Sequence, residues 1–333
     1  MKLIRLNSFL YLFCILSVFA SCVQKPDSSV EDWNRTFINT KKLISEACLD
    51  RELILGRPFL IQYVDSSLLI YDDIGDSLFL LVDLKENDRV YRFGQKGEGN
   101  NEFLQVFAFC NMKSDSILGV YDAYKHELRE INLDKVKRGE MNFPVVFKDT
   151  LSSIKLSPTK YDAYLGLGFY ESNMLSLTDN SIGSKFFFEY PYKDSREKAI
   201  SNRLRGMAYQ GTLCSNRSLD KFLYAVCSAP IFMLFSVNKD GIEKTYELIG
   251  GYPNYVTEET GEYRSAPMSA DNKMSFTMAY ATDNYIYLLY SGKNFRDAGM
   301  DAFKANVIYQ LSWNGKPINK FETDYPLTNF CVS

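Results

Sequence analysis

Ser67-Leu68-Leu69-Ile70-Tyr71-Asp72, followed by Leu80-Leu81-Val82-Asp83-Leu84, returns fifty residues later as Ile117-Leu118-Gly119-Val120-Tyr121-Asp122 followed by Arg129-Glu130-Ile131-Asn132-Leu133. The second half of this unit recurs as Leu234-Phe235-Ser236-Val237-Asn238-Lys239-Asp240-Gly241 and as Gln310-Leu311-Ser312-Trp313-Asn314-Gly315-Lys316. Each copy runs an apolar strand into an Asn/Asp-Gly type of turn and out into another strand, the pattern of a hairpin. A more diverged copy spans residues 164–190. A superperiod of about 40–50 residues with several strands per unit predicts propeller blades, whereas a sandwich or long barrel has no such superperiod. The fold expected is therefore all-β: a propeller of four-stranded antiparallel blades, with strands near 68–72, 78–83, 117–121, 129–133, 222–227, 232–237, 285–290 and 307–312. These runs are continuously apolar because a blade is covered on both faces by its neighbours.

Composition agrees. Aromatic residues make up 15% of the chain, with 23 Tyr and 24 Phe, side chains that pack well on pleated surfaces. Helical periodicity is confined to two short stretches, 31–47 and 196–205. The net charge is −3 and there is no basic run, so a nucleic-acid partner is not expected, because phosphate binding needs clustered Lys and Arg.

The N-terminus reads as an export signal. Lys2 and Arg5 precede an uncharged run over 6–20, and small residues lead into Phe19-Ala20-Ser21-Cys22, a lipobox-like ending in which Cys22 would be acylated. The expected organisation is a signal peptide over 1–21, a tether over 22–35 and a propeller domain over 36–333. The expected location is the bacterial cell envelope, lipid-anchored, with the outer membrane favoured and the leaflet open.

The start of the chain, the Gly56-Arg57-Pro58 that opens the first blade, Tyr71-Asp72, and Phe93-Gly94-Gln95-Lys96-Gly97-Glu98-Gly99-Asn100-Asn101-Glu102-Phe103 together carry a likeness. The last segment is close to F-G-x-x-G-x-G-P-x-E-F, with Asn100 in place of the usual proline, a departure expected to loosen the turn. The chain resembles the TolB-like six-bladed β-propeller lipoproteins of Bacteroidetes, most strongly over 55–135. That resemblance implies a six-bladed ring and no particular reaction. Five repeat units are counted, and Leu327-Thr328-Asn329-Phe330-Cys331-Val332-Ser333 reads as the first strand of an incomplete sixth, as in a truncated product. A strand from 37–55 would close such a ring by pairing with the last blade.

Candidate sites are few. Gly94, Gly97 and Gly99 look like a phosphate loop, but a strand follows rather than the helix that dinucleotide and Walker loops need. Their expected role is structural, with Glu102 bonding backbone groups of the loop. The acidic sets Asp72-Asp73-x-x-Asp76 and Glu258-Glu259 lack the spacing of a calcium loop and read as solvated turns. No cofactor is expected; calcium in the axial channel is the one exception left open. The only histidine, His126, sits in a polar turn, which removes two-His zinc sites, and there is no G-x-S-x-G elbow, so no catalytic residue is nominated. The cysteines are scattered and read mostly as small buried apolar residues. Only Cys214 and Cys227 are spaced to meet across a hairpin.

Three connections, 191–212, 250–273 and 292–305, exceed what hairpins need, and loops of that length are often functional. The second carries Tyr252, Tyr255, Tyr263 and Arg264, the residues expected to bind a ligand, since flat rings beside Arg supply contact area at low entropic cost. Two function classes stay open. One is a non-enzymatic scaffold binding an envelope protein or glycan. The other is a channel-site hydrolase or lyase, calcium-dependent in one version, acting on a sugar or lactone. Asp, Glu and Asn ringing a channel mouth would favour the second; Phe, Leu and Ser lining the channel would favour the first.

Overall fold

The computed structural model of this chain describes residues 30–47, 53–85, 89–179, 183–261 and 263–333; the signal segment 1–21, Cys22 and Cys48 lie outside the described residues. Five antiparallel meanders follow one another. Blade one is Pro58–Val64, Ser67–Asp72, Phe79–Asp83 and Arg89–Phe93. Blade two is Val106–Asn111, Ile117–Asp122, Glu127–Asn132 and Val145–Lys148. Blade three is Lys155–Pro158, Tyr164–Leu167, Leu175–Asp179 and Gly183–Phe187. Blade four is Gly211–Ser215, Lys221–Val226, Ile231–Val237 and Ile242–Ile249. Blade five is Phe276–Ala281, Tyr285–Tyr290, Ala305–Ser312 and Pro317–Leu327. All eight strands expected from sequence are present, and they are the second and third strands of their blades. Those two positions are buried on both faces, as in the wholly buried Phe79–Asp83, so they carry the longest apolar runs.

The Tyr-Asp repeat acquires a physical role here. The first strand of a blade has no sheet neighbour on its axial side, so the backbone leading into it needs other partners. Asp72, 2% exposed, accepts the N–H groups of Gly56 (2.6 Å) and Arg57 (2.7 Å), just before blade one begins. Burial alone would raise its pKa, yet the N–H donors of Arg57 and Gly56 hold the carboxyl below its ordinary value. Asp122, fully buried, does the same one blade later, accepting from Leu104 (2.6 Å) and Gln105 (3.2 Å) and also from Tyr124 and Lys125. The tyrosine of each pair reaches forward. Tyr71 Oη accepts from Val106 N of the second blade, and Tyr121 Oη donates to Ser153 O, just ahead of the third. One dipeptide thus clamps its own blade and the next.

Several expectations are corrected. Residues 31–47 do not form one helix. Val30–Arg35 is helical, and Thr40–Leu43 is a strand pairing in parallel with Pro317–Leu327, Thr40 opposite Lys320. This outer strand fulfils the expected closure on the last blade. The tether does not extend to residue 35 either, because Trp33 is buried against Phe37, Tyr309, Phe276 and Phe232, with ring centroids 4.8–6.0 Å apart. The 196–205 stretch is two helical turns, Ser195–Lys198 and Asn202–Ala208, because Ser201 caps the second. A sixth four-stranded sheet is not formed among the described residues, yet 327–333 does not begin one. Leu327 ends the last strand of blade five, and Phe330, Cys331 and Val332 pack beside Tyr280. Asn329 Nδ2 donates to Phe59 O of blade one (2.8 Å), so the tail fills the seam between first and last blades. Cys214 and Cys227 are free thiols, because Cys214 faces Leu223 while the Cys227 N–H bonds Gln210 O further along the ladder. Burial pushes both thiols up to about 12.

Asp122→Ala leaves four backbone N–H groups without their acceptor. It is expected to cost about 2–4 kcal/mol in urea denaturation, and Asp122→Asn, which keeps one carbonyl oxygen, to cost less.

Candidate functional site

Strand alternation decides which loops share a face. In a four-stranded meander the chain enters each first strand from the same side, so every blade-to-blade connection and every second-to-third-strand turn lies on one face of the ring. All three long connections, 191–212, 250–273 and 292–305, fall on that connection face. They also bond to one another. Glu197 Oε1 accepts from Tyr209 Oη and from Tyr255 Oη, both at 2.8 Å, tying the first connection to the second. Asp271 pairs with the Arg296 guanidinium, and Arg296 N donates to Ala270 O (2.8 Å), tying the second to the third. The result is a continuous surface over blades four and five.

The four residues expected to bind a ligand divide into two kinds. Tyr252 and Tyr255 are half-buried and pack against the core between blades three and four. Tyr255 is structural, its hydroxyl spent on Glu197 and its pKa pushed up, first by burial and then by that carboxylate. Tyr263 and Arg264 stand out on the hairpin Glu258–Thr260 with Tyr263–Ser265, Tyr263 being 62% exposed. Arg264 Nε pairs across the hairpin with Glu259 Oε1 at 3.1 Å. The hairpin leans on the Asn202–Ala208 helix.

The glycine segment is built as a turn around Glu102. Glu102 Oε2 accepts from Gly99 N at 2.8 Å, and a Cβ on Gly97 would lie 2.1 Å from that same oxygen. Gly94, at φ +73°, lies so close to the Phe79 ring that a Cβ would sit 2.4 Å from Cδ2. Sequence reading missed the cations that hold this loop. Lys125 Nζ donates to Gly99 O and Glu102 O, both at 2.8 Å. Arg129, 3% exposed, donates to Asn100 O and to Phe143 O (3.1 Å), and its guanidinium pairs with Glu127. Asn100 is therefore held through its carbonyl, and the turn is not loose where proline is replaced. Glu102, Lys125 and Arg129 are engaged with the backbone of this loop, which makes it a joint between blades. Its sign in the sequence is an Arg on the third strand after an Asn-Asn-Glu turn, legible only once the strands are paired.

The axial channel is lined by the five innermost strands, Pro58–Val64, Val106–Asn111, Lys155–Pro158, Gly211–Ser215 and Phe276–Ala281. They contain no Asp, Glu or His, and one charged residue, Lys155. Asn111 Nδ2 crosses the axis to Ser215 O (3.1 Å), and Gln62 Nε2 reaches Tyr280 Oη (3.0 Å). Lys155 Nζ donates to Phe107 O and lies 5.6 Å from the centre of the Phe107 ring. Burial lowers its pKa from 10.5 to about 8. Among the described residues, no three His, Cys, Asp or Glu side chains gather as a metal site would require.

A family description, TolB-like 6-blade propeller-like, matches residues 36–333. The chain belongs to this family. The family's name counts six blades, where the described residues hold five four-stranded meanders. Among solved structures, a Bacteroides fragilis protein labelled as exported aligns with a TM-score of 0.50 at 12% identity, over 85% of this chain and 79% of that one. A member of the DUF4221 family from Bacteroides vulgatus aligns with a TM-score of 0.43 at 11% identity, over 82% of both chains. At such identities the likeness concerns the fold alone. No curated protein matches the chain.

Two outcomes separate structural from exposed residues. Tyr255→Phe removes a hydroxyl from Glu197 and is expected to cost about 1 kcal/mol in chemical denaturation, while Tyr263→Ala stays within about 0.5 kcal/mol of wild type. A second concerns pH. The folded pKa of Lys155 lies below the unfolded one, so folding disfavours its protonation, and this burden lifts as pH rises from about 8 towards 10.5. Over that window the wild type should gain stability relative to Lys155→Met, which has nothing to titrate; thermal denaturation across the pH series measures it.

Proposed function

We propose that this chain is a lipid-anchored propeller of the bacterial cell envelope that binds a protein or glycan partner and catalyses no reaction. The observation that supports this most is the composition of the innermost strands. A hydrolase or lyase working in the axial channel needs a paired acid and base or carboxylate ligands for calcium. Those strands offer neither, and carry Phe, Leu, Tyr, Thr and Ser instead. The alternative reading, a calcium-dependent channel enzyme, finds no support in that lining.

Recognition is assigned to the connection face, with Tyr263 and Arg264 as the contact residues. The three long connections brace one another through Glu197 and Asp271, so the hairpin is presented with little left to order on association. An aromatic ring beside a guanidinium, exposed on a rigid support, is the composition of an interface hot spot. Export and lipidation at Cys22 are supported by the basic, apolar and small-residue order of 1–22; the label on the Bacteroides fragilis neighbour speaks of export alone.

Two experiments test this reading. The Tyr263→Ala/Arg264→Ala variant should keep the wild-type melting temperature yet retrieve its envelope partner at least about tenfold more weakly, from two truncations of 1–2 kcal/mol each. Retrieval at wild-type strength would place the site elsewhere. Cys22→Ser should move the protein from the membrane fraction to the soluble fraction; retention after a high-salt wash would refute the lipid anchor.

A further inference from the structure

We infer that the blade-five edge of the connection face meets a phospholipid surface, with the lobe formed by Phe295–Ala298 and Gly299–Phe303 seated in the bilayer interface, so that the partner recognised by Tyr263 and Arg264 is one held at that same membrane surface. This rests on the lipid anchor proposed at Cys22 and adds the orientation of the ring. Three observations carry it.

The first is where the chain emerges. Val30 is fixed, because the next turn buries Trp33 among four aromatic rings and Tyr309 Oη donates to Asn34 Oδ1 at 2.6 Å. Val30 packs on Gly250 so closely that a Cβ there would lie 2.8 Å from Val30 Cγ2. Gly250 directly follows the last strand of blade four, on the connection face.

The second is length. Only Val23 to Ser29 separate Cys22 from Val30, seven residues that reach about 25 Å at full extension. An acyl chain on Cys22 therefore holds the bilayer close above this face.

The third is what the face presents beside that point. Met300 is 70% exposed, Phe295 46%, Met268 44% and Phe303 38%, while Ala302 on the same lobe is buried. The lobe and the end of the 250–273 connection form one body, because the Arg296–Asp271 ion pair and the Lys273–Asn294 bridge join them. Lys273, Lys293, Arg296 and Lys304 flank the lobe, Arg296 and Lys304 each paired with an aspartate, and Asp297 accepts from Asn294 Nδ2. Exposed apolar side chains flanked by lysines and an arginine are suited to the interface between headgroups and acyl chains. The lipid at Cys22 supplies the attachment, and a second apolar contact on the domain fixes its orientation on the bilayer.

The test uses full-length lipidated protein in vesicles whose phosphatidylcholine carries brominated acyl chains, which quench tryptophan on contact. Met300→Trp reports on the lobe, and Tyr285→Trp, at the start of a strand on the opposite face, is the control. We expect the emission added by Met300→Trp to lose more than half its intensity and that added by Tyr285→Trp to be unchanged. Equal quenching of the two, or of neither, while the wild type still floats with the vesicles, overturns the inference and leaves the anchor standing. Wild type that does not float overturns the anchor and this inference with it. A blue shift of the Met300→Trp emission without vesicles that fades on dilution would mean that a second copy of the chain covers the lobe, and also overturns it.

Discussion

A carboxylate held mainly by backbone N–H groups, sunk at the end of the second strand, is what the first half of this ring depends on. The innermost strand of a blade is hydrogen-bonded on one edge only, and the chain must turn sharply to begin it. Asp72 and Asp122 take up the amides at those turns, Gly56 and Arg57 in one case, Leu104 and Gln105 in the other. In low dielectric these charge-assisted bonds are strong, and leaving any of the donors unmatched would be costly. Because Tyr71 and Tyr121 extend the same clamp to the following blade, the angle between neighbouring blades is set by hydrogen bonds as well as by packing.

Later blades solve the same problem with neutral groups. Ser228 Oγ donates to Ala208 O (2.6 Å), and Asn272 donates to Ser228 O while accepting from Asn254 N, both at 2.8 Å. This substitution has a consequence for function. Where Asp served the first blades, short polar side chains serve blades four and five, and the connections there grow long enough to need bracing of their own. Glu197 and Asp271 supply it. Rigidity of the exposed face and absence of carboxylates from the innermost strands are thus two sides of one arrangement: the acidic residues are used at the rim, holding loops.

Ring closure follows a different logic. The first and last blades meet through the C-terminal tail, which fills the seam between them, while Thr40–Leu43 extends the outer edge of the last blade. The parallel pairing of that outer strand covers the edge of Pro317–Leu327, which would otherwise offer an unpaired ladder to another chain. The Trp33 wedge lies in the groove between blades four and five, so the N-terminal segment both seals an edge and fixes the side of the ring on which the chain leaves the domain.

What the sequence determined by itself was the strand content, the blade period and the absence of catalytic motifs. These are local properties: doubly buried strands need unbroken apolar runs, and turns need Asn, Asp and Gly. It also showed that Gly97 and Gly99 had a structural reason, since a strand rather than a helix follows them. The division of the four candidate residues was decided only by tertiary structure. Tyr255 and Tyr263 have the same chemistry and lie eight positions apart in one loop, yet one is half-buried with its hydroxyl engaged because Glu197, 58 positions away, meets it. The same holds for Arg129 and Lys125, ordinary strand and turn cations in the sequence, which become the clamp on Gly99 and Asn100 because a neighbouring blade brings them there. The tail from Leu327 reads as a strand by composition, but strands form only where an edge is free to pair. In this ring the edge had already been taken by Thr40–Leu43, from the far end of the chain.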